Sequence, residues 1–316
     1  MIEPSADRGH LLTEQTNPSS ESLDLLPTDA LISLFVEEDR RPQMAVQGAI
    51  SALTEAVDAI AERLKVGGRL FYLGAGTSGR LGVLDAAECP PTFCSPPDLV
   101  QGVLAGGPAA LLRSSEGLED LESAGASDLK SRDFTGNDCL VGIAAGGTTP
   151  YVKGGLHYAR ELGALSIAMA CVPSDQVPMP CDIDIRLLTG PELLTGSTRL
   201  KAGTATKMAL NILSTGVMVR LGKVYGNRMV DVAASNSKLV DRSMRILRDL
   251  LGLDRVAAQG LLGSAGGSVK RALVMGSCNL DTAAADALLN DHGSDLRQAL
   301  LSRGVSLPQE AVTLPQ

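Results

Sequence analysis

Apolar residues follow three different patterns along the chain. The first residues form an arm in which apolar residues show no periodicity. Apolar residues then recur at helical spacing, and residues 43–65 are predicted to form one amphipathic helix. Short apolar runs then alternate with helical stretches, and only helical spacing remains in the last part of the chain. We therefore expect an arm and helices over 1–66, a central domain over 67–230, and a small C-terminal helical domain with a tail over 231–316.

Five apolar runs of the central domain are short enough to be buried parallel strands. Helical stretches separate them, and this alternation is typical of a doubly wound sheet, whose ligands bind at the carboxyl ends of the strands. The predicted strands are 69–73, 99–104, 139–144, 165–171 and 183–187. The predicted helices beside and after them are a stretch ending near Glu88, then 108–124, 151–162, 199–221, 236–251, 254–263, 267–276 and 281–302.

Composition narrows the class of protein. The 316 residues carry 28 Lys and Arg against 36 Asp and Glu, with four Tyr, four Phe and no Trp. This balance disfavours binding to a phosphate backbone and stacking on bases, so we expect no nucleic-acid partner. No apolar stretch approaches the ~20 residues of a membrane span, and the polar start does not resemble a signal peptide, so we expect no membrane partner either.

Cysteine and histidine usage also points away from some kinds of site. The six cysteines are scattered without a CxxC pair, which predicts reduced thiols and a cytoplasmic protein. His10, His157 and His292 lie far apart, so neither a metal centre nor a Ser–His triad is predicted.

A glycine-rich loop follows the first predicted strand. Its sequence, Gly74-Ala75-Gly76-Thr77-Ser78-Gly79, has the GxGxxG spacing of dinucleotide sites. Such sites also need a second strand ending in an acidic residue ~20 positions on, and the proline-rich segment 92–98 offers only Asp98. The hydroxyls of Thr77 and Ser78 favour a phosphate monoester instead. Hydroxyls and free backbone N–H groups at a helix start can both donate hydrogen bonds to such an anion.

Two further loops repeat this design, at 143–150 and 195–201, and the last carries Arg199 and Lys201 beside its hydroxyls. Cations at a helix start oppose the helix dipole, which suggests a functional reason for them. The alternative for each loop is simple helix capping, although three such loops at one sheet edge make capping alone a weaker explanation. The candidate substrate-binding residues are Gly76, Thr77, Ser78, Gly79, Thr148, Thr149, Ser197, Thr198 and Lys201.

Two glutamates are candidate acid–base groups, although either alone is also a common surface residue. Glu88 precedes Pro90 and Pro91, and Glu119 is expected on a helix. Glu88 follows Ser78 by ten residues, or ~15 Å along one helix, which exceeds the length of a hexose phosphate. Either the helix ends early, or a second subunit completes the pocket.

Long blocks of this sequence closely resemble the N-acetylmuramic acid 6-phosphate etherases. The resemblance spans roughly 12–302 and is far more specific than a lone GxGxxG. The blocks are 68–70, 74–86, 88–92, 116–120, 150–152, 190–201, 223–225 and 238–242, with Thr13-Glu14, Asn17-Pro18 and 38–41 near the start.

The resemblance implies a sugar isomerase-type (SIS) domain, a three-layer αβα sandwich around a mainly parallel five-stranded sheet. It implies a homodimeric enzyme that needs no metal or cofactor, and the spacing of Ser78 and Glu88 adds the expectation of an active site near the interface. The expected reaction converts N-acetylmuramic acid 6-phosphate and water into N-acetylglucosamine 6-phosphate and D-lactate, in cell-wall sugar recycling. Glu88 matches the family's general acid/base, and Glu119 matches its second catalytic glutamate.

The second loop departs from the family pattern. Gly146-Gly147-Thr148-Thr149-Pro150 stands where Ser-Gly-Arg-Thr-Pro is usual, so a hydroxyl and a cation are missing. Two alternative functions therefore stay open. One is a non-catalytic sugar-phosphate sensor such as the glucokinase regulatory protein, and the other is an aldose–ketose phosphosugar isomerase.

Overall fold

The computed structural model describes residues 7–113, 117–232 and 237–308. These residues form two compact units. The first comprises the described residues of Met1–Ala87 and Pro97–Val217, and the second those of Glu88–Pro96 and Met218–Gln316.

The first unit begins with the arm and three helices. The arm contains two short 3₁₀ turns, at Pro18–Ser20 and Leu23–Leu25. The helices are α1 (Thr28–Glu38), α2 (Arg41–Gly48) and α3 (Ile50–Lys65). The prediction of one helix over 43–65 is wrong, because the helix breaks at Ala49, where φ is −98° and ψ is 7°. Gly48 favours this break, since glycine is a poor helix former.

Five parallel strands form the sheet of the first unit, as predicted. They are β1 (Leu70–Gly74), β2 (Val100–Leu104), β3 (Cys139–Ile143), β4 (Leu165–Ala170) and β5 (Ile183–Arg186). Their order is β2-β1-β3-β4-β5, so the chain winds both ways from β1. In the register of the central strands, Leu70 lies opposite Val100 on one side and Cys139 on the other.

The remaining helices that lie wholly or mainly in the first unit are α4, α5, α6, α7 and α8, of which α4 and α8 have their last residues in the second unit. Their bounds are Gly76–Phe93, Ala109–Leu112, Glu122–Lys130, Pro150–Glu161 and Lys201–Arg220. Neighbouring β1 residues point to opposite faces, so Leu73 packs toward α7 while Tyr72 packs toward α4. Helices therefore cover both faces of the sheet, which makes the expected three-layer sandwich.

Two helix predictions in this unit need correction. The helix expected over 108–124 is broken, and Glu119 lies in a turn before α6 rather than on a helix. Gly117, with φ of +87°, adopts a left-handed conformation that interrupts a helix. In addition, α4 does not end near Glu88 but continues through Pro90 and Pro91 to Phe93.

The second unit contains a short hairpin and five helices. They are β6 (Val224–Tyr225), β7 (Arg228–Met229), α9 (Ser237–Leu251), α10 (Arg255–Ser264), α11 (Val269–Cys278), α12 (Thr282–Asp291) and α13 (Leu296–Leu301). The hairpin is not predicted from the sequence. The single helix expected over 281–302 is two helices, because Gly293 and Ser294 both have positive φ angles.

Several features bear on the classes of site considered from sequence. All six cysteines are free thiols. Across the described ranges, no helix is both long and apolar enough to cross a bilayer. The same residues bring together no group of three or more side chains suited to holding a metal ion.

Candidate active site

The first loop links β1 to α4 in a very tight turn. Gly76 has φ of +53°, a left-handed conformation that favours glycine. A Cβ atom on Gly79 would lie 2.4 Å from the Gly74 carbonyl oxygen, so only glycine fits this close approach. The first turn of α4 thus presents Thr77 and Ser78, both partly exposed, at the positive end of the helix dipole.

The second loop links β3 to α7. Thr149 occupies the N-cap position of α7, yet its side chain makes no capping hydrogen bond. Thr148 and Thr149 are both partly exposed. Capping by its hydroxyl therefore does not explain Thr149, and the hydroxyl remains available to a ligand.

A backbone hydrogen bond fixes Glu119 beside this second loop. The Tyr151 N–H donates to the Glu119 carbonyl oxygen at 3.0 Å. Because Tyr151 lies in the first turn of α7, two residues after Thr149, this bond holds the turn that carries Glu119 next to the second loop. The Glu119 side chain is exposed, while its neighbour Glu116 lies outside the described residues.

The third loop precedes α8, and a buried carboxylate caps that helix. Glu192 is 1% exposed, and its two oxygens accept from the backbone N–H groups of Lys201 and Ala202, each at 2.9 Å. Burial raises the pKa of Glu192, and these two hydrogen bonds only partly oppose it. Since Glu192 supplies the cap, the partly exposed Ser197 and Thr198 are not needed for it.

Lys201 is directed into the protein. Its ammonium forms a hydrogen-bonded ion pair with Glu38, and its side chain is 3% exposed. Asn17 also donates to Glu38, at 3.0 Å. Burial raises the pKa of Glu38, but the bonds from Lys201 and Asn17 outweigh this and leave that pKa below its usual range. Contact between Lys201 and a substrate, as predicted from sequence, would require breaking this pair.

The N-terminal arm reaches both the second and the third loop. A Cβ atom on Gly146 would lie 3.6 Å from Thr13 Oγ1, and one on Gly196 would lie 3.1 Å from Glu14 Oε2. The sequence predicts an irregular arm over these residues and gives no periodic signal that links them to the loops. The signal that could have shown this role is the Thr13-Glu14 block of the family resemblance.

The first and third loops meet on the side of α8. A Cβ atom on Gly203 would lie 3.6 Å from Thr77 Cγ2 and 3.5 Å from the Thr198 carbonyl oxygen. A cavity of about 330 Å³ opens beside Thr77, with Arg199 and Lys207 among its lining residues. The structure thus places Thr77 of the first loop and two cations, Arg199 and Lys207, around one space.

Glu88 lies farther along α4 and is exposed. Ten residues of continuous helix separate it from Ser78, which corresponds to ~15 Å. Because α4 runs on to Phe93, the possibility that the helix ends early is excluded. The two prolines after Glu88 cannot donate to the carbonyls of Ala86 and Ala87, so this last stretch of α4 lacks two of its helical hydrogen bonds.

A parallel sheet with glycine- and hydroxyl-rich loops leading into helices defines a SIS-domain protein. The sequence model of the Glucokinase regulatory protein N-terminal SIS domain matches residues 52–160. A phosphoheptose isomerase structure from Francisella tularensis aligns with a TM-score of 0.47 at 16% identity, over 61% of this chain and 98% of that one. That similarity is too low to bear on function.

Similar sequences identify the family. An N-acetylmuramic acid 6-phosphate etherase of Parasynechococcus marenigrum (strain WH8102) is 73% identical over 305 residues, which cover 96% of both chains. One of Synechococcus sp. (strain CC9902) is 76% identical over 279 residues, or 88% of each chain. The chain belongs to the N-acetylmuramic acid 6-phosphate etherase family.

The Lys201–Glu38 pair gives a testable prediction about stability. Lys201→Met should lower the free energy of unfolding at neutral pH by about 3 kcal/mol, because it leaves a largely buried carboxylate without its partner. The folded-state pKa of Glu38 is lowered, so the pair stabilises the fold above the ordinary pKa of a glutamate and loses this effect as the pH falls through the lower folded-state value. Urea unfolding at neutral and acidic pH measures both effects.

Lys65→Met is the matched control, because Lys65 pairs with Glu62 on an exposed surface. It should change the free energy of unfolding by less than about 1 kcal/mol. The buried ion pair would be contradicted if Lys201→Met lowered the free energy of unfolding by no more than this. A loss as large in acid as at neutral pH would also contradict it.

Proposed function

We propose that this chain cleaves the D-lactyl ether of N-acetylmuramic acid 6-phosphate by elimination and hydration, with Glu88 and Glu119 sharing the proton transfers. The products are N-acetylglucosamine 6-phosphate and D-lactate, and the reaction serves amino-sugar recycling. The observation that carries the proposal is the 73% identity to an etherase over 96% of the chain.

The substrate phosphate binds where the three loops converge. The three helix N-termini present positive dipole ends, and the first turn of α4 also offers unpaired backbone N–H groups, which suit a phosphate dianion. Hydroxyls add further donors around it. The proposed phosphate contacts come from the first turn of α4, from the second loop and from the third loop, namely Gly76, Thr77, Ser78, Gly79, Thr148, Thr149, Ser197 and Thr198.

The proposed chemistry begins on the ring-opened sugar, whose aldehyde acidifies the proton on carbon 2. Glu119 removes this proton, and Glu88 protonates the ether oxygen on carbon 3 as D-lactate leaves. Glu88, now a carboxylate, activates the water that adds to carbon 3 of the unsaturated aldehyde. Glu119 then returns a proton to carbon 2. Each carboxyl group thus ends in the protonation state in which it began.

The division of roles can be tested by removing each carboxylate separately. Glu88→Gln should lower lactate release by at least ~10²-fold, the usual size of a general acid–base contribution, and should leave substrate binding intact. In deuterated water this variant should still exchange the carbon-2 proton, because Glu119 remains. Glu119→Gln should lose the exchange as well. Coupled lactate assays and proton NMR give the two measurements.

Glu55→Gln is the control, since Glu55 is an exposed glutamate on α3 with no proposed role. It should match the wild-type enzyme in both measurements. Normal turnover by Glu88→Gln would refute the role of Glu88, and a ketose product would favour the isomerase alternative.

The altered second loop also yields a prediction. A Cβ atom on Gly146 would meet only Thr13 Oγ1 at 3.6 Å and Thr148 Oγ1 at 3.8 Å, which are ordinary contacts. Gly146→Ser should therefore fold normally and restore a hydroxyl near the phosphate. We expect N-acetylglucosamine 6-phosphate to bind a few-fold more tightly, as one added hydrogen bond provides. Weaker binding in calorimetry, with unchanged thermal stability, would place the phosphate elsewhere.

The proposal includes a cytoplasmic homodimer whose active site lies near the subunit interface. No residue of α1 is fully buried in the single chain, although the helix is rich in apolar residues. Ile32 and Val36, one turn apart, are 58% and 64% exposed. Apolar surface of this kind is typical of an interface, and the ~15 Å between Ser78 and Glu88 leaves room for a group from a second copy. The six free thiols support a reducing compartment.

Charges placed on this face should separate the copies. Ile32→Asp combined with Val36→Asp should give a folded monomer by light scattering, because like charges would meet across the interface. The monomer should release lactate at least roughly 10²-fold more slowly, the cost of losing a positioned catalytic group. Ile32→Ala with Val36→Ala controls for side-chain loss alone. A monomer with full activity would contradict the proposal that the active site needs both subunits.

A further inference from the structure

The cavity of about 330 Å³ lies beside the proposed phosphate site, and its two ends have different lining residues. Thr77 lines it next to the first loop. The other lining residues lie on the sides of α4 and α8 or just before α8, and they include Leu81, Arg199, Lys207 and Met208. Backbone N–H groups inside a helix are already bonded, so this part of the cavity offers side chains rather than a helix N-terminus.

Arg199 is the available cation of this cavity. It is exposed, and among the described residues it has no hydrogen-bond or ion-pair partner. It stands before the first residue of α8, where a positive charge opposes the helix dipole. A cation held there without a protein partner is well placed to meet an anion in the cavity.

Lys207 adds positive charge deeper in the cavity and is held in place by the protein. Its ammonium lies 3.2 Å from Asp85 Oδ1 and 2.7 Å from Asn211 Oδ1. Asp85 is buried and also accepts from the Tyr72 hydroxyl at 3.1 Å. Lys207 is therefore a fixed and partly neutralised charge, whereas Arg199 keeps its full set of donors.

We infer that this cavity binds the lactyl group of the substrate, with Arg199 as the contact to its carboxylate. The inference rests on the proposed function and adds to it a specificity-determining residue. A guanidinium binds a carboxylate through two parallel hydrogen bonds, and the apolar Leu81 and Met208 suit the lactyl methyl group. Arg199 thus distinguishes the substrate from the product sugar phosphate, which carries the same phosphate but neither the carboxylate nor the methyl group.

Calorimetric binding of two ligands to one variant tests this directly. Arg199→Gln should weaken binding of N-acetylmuramic acid 6-phosphate roughly ten- to a hundred-fold, as loss of a charge-assisted bidentate contact does. The measurement uses this variant in the Glu88→Gln background, so that the substrate is not consumed. Binding of N-acetylglucosamine 6-phosphate should change less than about two-fold, since its phosphate is held elsewhere.

Arg199→Lys should fall between the wild type and Arg199→Gln, because a lysine keeps the charge and loses the bidentate geometry. Arg160→Gln, an exposed arginine on α7, is the matched control and should leave both affinities unchanged. Equal weakening of the two ligands would overturn the inference and assign Arg199 to the phosphate. Unchanged affinity for both ligands would also overturn the inference, because Arg199 would then contact neither of them.

These outcomes are separate from a failure of the proposed function. Affinity is measured without turnover, so a wild-type protein that released no lactate would refute the etherase activity alone. A wild-type protein that cleaves the ether, with an Arg199→Gln variant of normal KM, would refute the inference alone.

Discussion

The parallel direction of the central strands is the constraint on which the candidate site depends. Every strand of the sheet points the same way, so the loops after β1 and β3 open at the same edge and each leads into a helix. The N-termini of α4 and α7 therefore lie at one edge with their dipoles directed to it, and the first turn of α4 adds free N–H groups. Such an edge favours an anion before any charged side chain is added, which explains how an acidic protein can bind a phosphosugar.

Long-range contacts then hold the rest of the site against this edge. Glu192 caps α8 from a loop outside it, while Lys201 joins the start of α8 to the end of α1 through Glu38. The Tyr151 N–H holds the turn that carries Glu119. The Lys201–Glu38 and Tyr151–Glu119 contacts link segments that are distant in sequence, so the site is a property of the folded unit rather than of any one motif.

The sheet could be predicted from sequence because its signal is local. Runs of apolar residues such as 139–144, bounded by glycines, mark buried strands to within about one residue of the observed β3. Helix breaks at Ala49 and Gly293 were missed, because apolar periodicity continues across them. The Glu192 cap and the Lys201–Glu38 pair could not be predicted, since partners 9 and 163 residues apart leave no periodic pattern.

The two glutamates could be selected from the sequence, but their positions in the fold could not. The family resemblance selects Glu88 and Glu119, whereas the apolar pattern predicts Glu119 on a helix and an end of α4 near Glu88, and both of these placements are wrong. Both side chains are exposed in the single chain, whereas proton transfer to an ether oxygen works best where bulk water is excluded. A second copy on the apolar face of α1 is the proposed source of that cover.

If the ether breaks between carbon 3 and its oxygen and water then adds to carbon 3, solvent oxygen must appear in the new hydroxyl. N-acetylmuramic acid 6-phosphate should be incubated with the wild-type protein in oxygen-18 water, and both products analysed by mass spectrometry. The account predicts one labelled oxygen on carbon 3 of N-acetylglucosamine 6-phosphate and none in the ether-derived hydroxyl of D-lactate. Label in that lactate hydroxyl, or no lactate at all, would contradict it.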